Sequence, residues 1–183
     1  MLSSVTEDDR QRWDDRHGTD GTPPTPGLPE LFVRYADRFP TSGVALDLAS
    51  GRGAASIWLA RRGLDVTGMD VSPLAVQVAR DLAVAEGVES SCRFVVHDLD
   101  EGLPAGPPAA VIVCHLFRDA RLDAAIVERL APGGLLAVAA LSEVGAEPGR
   151  FRVAPGELPR AFAALDVVAA GERDGVAWLL GVR

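Results

Sequence analysis

Lysine is missing altogether: all 18 basic residues of this 183-residue chain are arginine. Chemistry that needs a lysine amine, such as a Schiff base or a phosphate-binding P-loop, is therefore excluded. Positive charge of any kind is outnumbered. Against 26 acidic residues the net charge is −8 and the pI about 4.8. That argues against a nucleic-acid partner, because phosphate binding needs clustered positive charge. No apolar run reaches the roughly 18 residues of a membrane span. The first residues, MLSSVTEDDRQRW, lack the apolar core of a signal peptide. These absences predict a cytoplasmic protein with neither membrane nor nucleic acid as partner; nothing in the sequence fixes an oligomeric state. Cysteine is scarce. Cys92 is expected to open a third strand and Cys114 to end a fourth, at opposite ends of a sheet, so both are expected as free thiols. The three histidines, His17, His97 and His115, show no ligand spacing, so no metal is expected.

What the chain does have is concentrated in Val44–Asp70, VALDLASGRGAASIWLARRGLDVTGMD. It reads as strand, glycine turn, helix, strand, with an acid closing each strand, which is half of a nucleotide-binding βαβ unit. A dinucleotide fingerprint, G-x-G-x-x-G, would have a third glycine to pack helix on strand. Gly51 and Gly53 fit it, but Ser56 takes the third place. A pyrophosphate also disfavours an acid beside the helix N-terminus, and Asp47 lies just upstream. S-adenosylmethionine carries an ammonium and a sulfonium and no phosphate, so an acid there suits it better. Asp70, at the end of the second strand, can accept both ribose hydroxyls.

On these residues the chain resembles the class I S-adenosylmethionine-dependent methyltransferases, and within them the tellurite-resistance and thiopurine methyltransferase-like group. ALDLASGRG followed by IWLARRGLDVTGMDVS looks like the cofactor-binding half. Trp13-Asp14-Asp15-Arg16-His17 looks like a Trp-Asp-x-Arg-Tyr lead-in, with His17 in place of the Tyr. Phe151 to Leu158, FRVAPGEL, looks like a late F-x-x-x-P-G-E-L segment. The first glycine of the usual D-x-G-x-G-x-G is Ala49 here.

The implied fold is α/β: a Rossmann-like, seven-stranded, mostly parallel sheet with a C-terminal antiparallel hairpin and helices on both faces. Residues 1–40 form a lead-in, with a proline- and glycine-rich stretch that can act as a lid and a helix over Leu28–Phe39. Its stripe is Leu31, Tyr35 and Phe39. Residues 41–183 form the methyltransferase domain. Ser72-Pro73 starts a helix as N-cap and first helical residue, with Leu74, Val78 and Leu82 as its buried stripe. Leu122, Ile126 and Leu130 mark another helix. Pro132-Gly133-Gly134 turns into a fifth strand, Leu135 to Leu141.

In open parallel sheets ligands bind beyond the carboxyl ends of the strands. The candidate cofactor residues are therefore Asp47, Ala49, Ser50, Gly51, Gly53, Asp70, Val71, Ser72, Asp98, Leu99 and Cys114. In this scheme Asp98 accepts the adenine amino group. Arg16 and Trp13 of the lead-in are candidates for the cofactor carboxylate and for a cover. On the acceptor side His115, Phe117, Arg118 and Arg152 are the candidates, with His115 as a general base. Methyl transfer is an in-line displacement at an already activated carbon, so positioning can carry most of the catalysis. Nucleic-acid amino-methylating enzymes have a D/N-P-P-Y/F motif after strand four; this chain has Cys114-His115-Leu116-Phe117. The expected activity is S-adenosylmethionine-dependent methylation of a small molecule on a thiol, a hydroxyl or a metalloid oxyanion. An NAD-dependent oxidoreductase and a non-enzymatic cofactor-binding relative are the alternatives.

Overall fold

The computed structural model describes residues 24–149 and 151–183. Its strands are β1 (Val44–Leu48), β2 (Asp65–Asp70), β3 (Cys92–Val96), β4 (Ala109–His115), β5 (Leu130–Ser142), β6 (Arg152–Val153), β7 (Asp166–Arg173) and β8 (Val176–Val182). The helices are α1 (Glu30–Val33), α2 (Ala54–Arg61), α3 (Pro73–Ala85), α4 (Asp123–Arg129) and α5 (Glu157–Ala161). The sheet order is β3-β2-β1-β4-β5-β8-β7. β3 to β5 are mutually parallel, and β8 joins β5 antiparallel with β7 outside it. Seven strands, mostly parallel and with a C-terminal antiparallel pair, are as expected. An eighth strand, the two-residue β6, pairs with the end of β5. No helix among the described residues is long and apolar enough to cross a membrane.

Alternation along the strands divides the core in two. Ala45, Val66, Phe94, Val111 and Ala137 face one layer with Ile57 and Leu59 of α2 and Val76 and Ala79 of α3. Leu46, Leu48, Met69, Ile112 and Val138 face the other, with Ile126 of α4 and Leu158 of α5. Helices thus cover both faces, as a parallel sheet requires.

Three local expectations change. The helix over Leu28–Phe39 is broken into α1 and a 3-10 turn at Ala36–Arg38. Phe32, not Leu31, is fully buried, because Phe32 and Tyr35 both pack on Trp178, with ring centroids 6.3 and 6.0 Å away. In α3 the buried stripe is Ala75, Val76, Ala79, Leu82 and Ala83, while Leu74 is exposed. Small residues let the helix lie close to the sheet. β5 starts at Leu130, ahead of Pro132-Gly133-Gly134, and that turn is a bulge: Leu130 pairs with Ala109 and Leu135 with Val111. Cys92 and Cys114 are free and buried, as expected.

Candidate functional site

The turn after β1 winds through left-handed backbone at Ala49, Gly51 and Gly53, with φ of 53°, 52° and 85°. Glycine tolerates this region and alanine does so at a cost, so Ala49 occupies a position that favours glycine. Asp70 holds the turn from the neighbouring strand. Its Oδ2 accepts from the Gly51 N–H at 2.8 Å, and its Oδ1 accepts from the Ser72 N–H at 2.9 Å. Asp47 turns toward α2, where the Ser56 hydroxyl donates to its Oδ2 at 2.6 Å. Ser56 thus stands where a dinucleotide site would have its third glycine, and it serves as a hydrogen-bond donor. Burial pushes the Asp47 carboxyl up to about 7, the Ser56 hydrogen bond opposes that, and the Asp70 charge adds to it.

Above these strand ends lies a cleft of about 670 Å³, within the range of small-molecule sites. Of the sequence candidates, Asp47, Ala49, Ser50, Gly51, Asp70, Val71, Asp98, Leu99, His115 and Phe117 line it. Asp98 Oδ1 accepts from the Asp100 N–H at 2.9 Å. His97 also reaches the wall, with its Nε2 2.7 Å from the Gly102 carbonyl oxygen. His115 is half-buried, and burial lowers its pKa below the ordinary histidine value. It is therefore neutral near pH 7 and able to accept a proton.

Other candidates do not reach the cleft wall. Gly53 packs beneath it: a Cβ there would stand 2.7 Å from Phe94 Cζ and 2.9 Å from Ala79 Cβ. Ser72 caps α3, accepting from the Ala75 N–H at 3.1 Å. The Cys114 thiol lies 3.4 Å from the Phe117 carbonyl oxygen, and burial raises it to about 12. Arg118 is held by Asp123 at 2.5 and 2.9 Å and by Glu157 at 3.2 Å. Arg152 donates to the carbonyls of Ser142 and Gly175 at 2.6 and 3.1 Å. Trp13 and Arg16 lie outside the described residues.

Leu141, Ala54, Ala55 and Asp100 on the wall were not singled out by the sequence, whereas the proline- and glycine-rich stretch expected as a lid does reach it. Leu141 comes from the end of β5, which followed from the strand-end rule had it been carried one strand further. Pro24, Thr25, Gly27, Leu28 and Pro29 form a rim, fastened where the Gly27 N–H donates to the Ala54 carbonyl at 3.1 Å. Ser50 Oγ is buried with no hydrogen-bond partner among the described residues. An orphaned hydroxyl, carboxylates on successive strand ends and apolar Val71 and Leu99 together fit a ligand with a cationic amino-acid end, a ribose and a planar base.

Residues 45–134 match the family described as methyltransferase domain. Over these residues, just under half of the chain, the protein is a methyltransferase domain of the class I S-adenosylmethionine-dependent kind. It is similar to the ubiquinone biosynthesis O-methyltransferase of Xylella fastidiosa (strain 9a5c), 33% identical over 138 residues, covering 71% of this chain and 54% of that protein. It therefore spans about half the length of that relative. Among solved structures, TehB from Haemophilus influenzae superposes with a TM-score of 0.76 at 18% identity, covering 93% of this chain and 67% of that one. The glycopeptide N-methyltransferase MtfA complexed with S-adenosyl-L-methionine gives 0.61 at 18%, covering 81% and 91%. At these identities the structures speak for the shared fold.

Proposed function

We propose that this chain binds S-adenosylmethionine in the strand-end cleft and methylates a small molecule. The observation that carries the reading is the placement of Asp47, the Ser50–Arg52 turn, Asp70 and Asp98 on the wall of one cleft, in the strand order β1, β2, β3. In this reading Asp70 accepts the ribose hydroxyls while its backbone bonds hold the turn in place. Asp47 offsets the ammonium, and Asp98 and Leu99 receive the adenine.

When bound, S-adenosylmethionine supplies a methyl group already activated by its sulfonium. The chain then has to exclude water, aim the acceptor and receive a proton. His115 on the cleft wall would take the proton that an acceptor O–H or S–H gives up on methylation, the sulfur of the cofactor leaving with the electron pair of the bond to the methyl group. The acceptor in this scheme is a thiol, a hydroxyl or a metalloid oxyanion. The similarity to an O-methyltransferase of ubiquinone biosynthesis supports oxygen.

Thermal melting of the pure chain with S-adenosylhomocysteine, S-adenosylmethionine and NAD tests the cofactor. A ligand at 100 times its Kd stabilises the native state by about 2.7 kcal/mol, so either adenosyl ligand is expected to raise Tm measurably. A shift with NAD alone supports the oxidoreductase reading instead. Binding without turnover across a broad acceptor panel supports the non-enzymatic one.

A further inference from the structure

We infer that the acceptor half of the cleft is built for an uncharged molecule with an apolar or aromatic body presenting a hydroxyl or thiol, and not for an oxyanion. The inference rests on the methyltransferase reading above and narrows its substrate. The sheet order sets the strand ends in the line β3, β2, β1, β4, β5. Every carboxylate on the described cleft wall lies on one side of that line. Asp98 and Asp100 follow β3, Asp70 ends β2 and Asp47 belongs to β1. The arginine of the described wall, Arg52, sits in the glycine turn on the same side. Beyond β1, the ends of β4 and β5 contribute His115, Leu116, Phe117 and Leu141, with neither carboxylate nor guanidinium.

An oxyanion leaving water requires an arginine fork or converging N–H donors. Among the described residues, the arginines nearest after β4 and β5 in the chain are engaged elsewhere, and Arg121 pairs with Asp119 and Asp100. Arg118 is 10% exposed and paired with Asp123 and Glu157. Arg152 closes the β5–β6 corner through two backbone carbonyls. An anionic acceptor would thus exchange hydration for the acids Asp47, Asp70 and Asp98 across the cleft, with no cation on its own side among the described residues. Leu116 strengthens the argument. Its φ of 58° is uncommon for leucine, and such strain persists only where the surroundings impose it. Its N–H is fixed to the Ala139 carbonyl at 2.8 Å. The side chain, 43% exposed, lies on the cleft wall. His115 beside it, its pKa lowered by burial, can accept a hydroxyl or thiol proton.

Two probes that differ by one carboxylate test this: 2-naphthol and 6-hydroxy-2-naphthoate, titrated into the full chain saturated with S-adenosylhomocysteine. 2-Naphthol is expected to bind at least about tenfold more tightly. In the Leu116→Arg variant the gap is expected to narrow several-fold through a gain for the naphthoate. If that variant does not melt cooperatively, Phe117→Arg provides the same comparison. Equal or tighter binding of the naphthoate by the unaltered chain overturns the inference. So does turnover of inorganic tellurite with S-adenosylmethionine, or no binding of 2-naphthol at millimolar concentration while S-adenosylhomocysteine still raises Tm. A chain whose melting ignores S-adenosylhomocysteine fails one step earlier, at the cofactor reading, and takes this inference with it.

Discussion

Asp47 and Asp70 are both acids at strand ends, yet their surroundings give them different work. Asp70 accepts two backbone N–H groups, so replacing it disturbs both the glycine turn and the start of α3. Asp70→Ala is expected to weaken S-adenosylhomocysteine binding by at least about 1 kcal/mol, the scale of one lost hydrogen bond to a charged group. Calorimetry finding the same Kd would remove Asp70 from the site. Asp47 is enclosed, and its pKa rises from 3.8 to about 7 chiefly through burial. The folded state then holds the proton more tightly than the unfolded state. The stability this group contributes is fully present below about pH 4 and is lost as pH rises to about 7. Asp47→Asn removes that loss. Variant-minus-parent Tm, measured without ligand, is expected to grow between about pH 5 and about pH 8. An equal difference at both pH values would mean that Asp47 does not titrate there. The residue types and their spacing in the sequence announced both acids. Their division of labour was not legible, because it depends on alternation turning Asp47 toward Ser56 while Asp70 reaches across to a neighbouring turn. Arg118 and Arg152 show the opposite error. A charge after a strand end invites a functional reading, and only the fold brings up Asp123, Glu157 and the carbonyls of Ser142 and Gly175 that engage them.

Elements whose boundaries follow from local chemistry were readable from the sequence. Ser72-Pro73 starts α3 as an N-cap followed by proline, and the Asp174-Gly175 turn joins β7 to β8. Elements decided by contacts distant in sequence were not. α1 stops after one turn because Phe32 and Tyr35 meet Trp178, some 140 residues later in the chain. The face of α3 was misplaced because hydrophobicity picked out Leu74 and Val78, whereas close approach to the sheet selects alanines. Close packing by α2 and β3 explains Gly68 in the middle of β2. A Cβ there would lie 2.5 Å from Phe94 Cδ1 and 2.9 Å from Ser56 Oγ. Gly68→Ala is expected to destabilise the fold by about 1–3 kcal/mol through overpacking. It is also expected to disturb the Ser56 bond to Asp47. Urea unfolding should show a lower midpoint with an unchanged slope; an unchanged midpoint would mean that Phe94 yields freely and that the packing between α2 and β3 is loose.

At the scale of the molecule, the sheet brings Asp47, the Ser50–Arg52 turn, Asp70 and Asp98 to one edge of the cleft, and the stretch that precedes the sheet in the chain lines another part of it. The rim from Pro24 to Pro29 lines the cleft, and Gly27 ties it to the first residue of α2. The cleft thus has strand ends on one side and the rim on the other. We propose that residues 1–40 act as a lead-in whose proline- and glycine-rich part covers the site, while residues 41–183 form the domain proper. The contacts that hold the domain together lie within its two packed layers. Deleting residues 1–23 is therefore expected to leave the Tm of the ligand-free chain within a degree or two of the parent, since both described core layers are built from Phe32 onward. The same deletion is expected to weaken S-adenosylhomocysteine binding several-fold. Hydrogen exchange in the parent adds a direct readout: ligand should slow exchange at the Gly27 amide if the rim closes on it. Unchanged affinity after deletion, with no added protection at Gly27, would make the lead-in a bystander and leave the strand ends to hold the ligand alone.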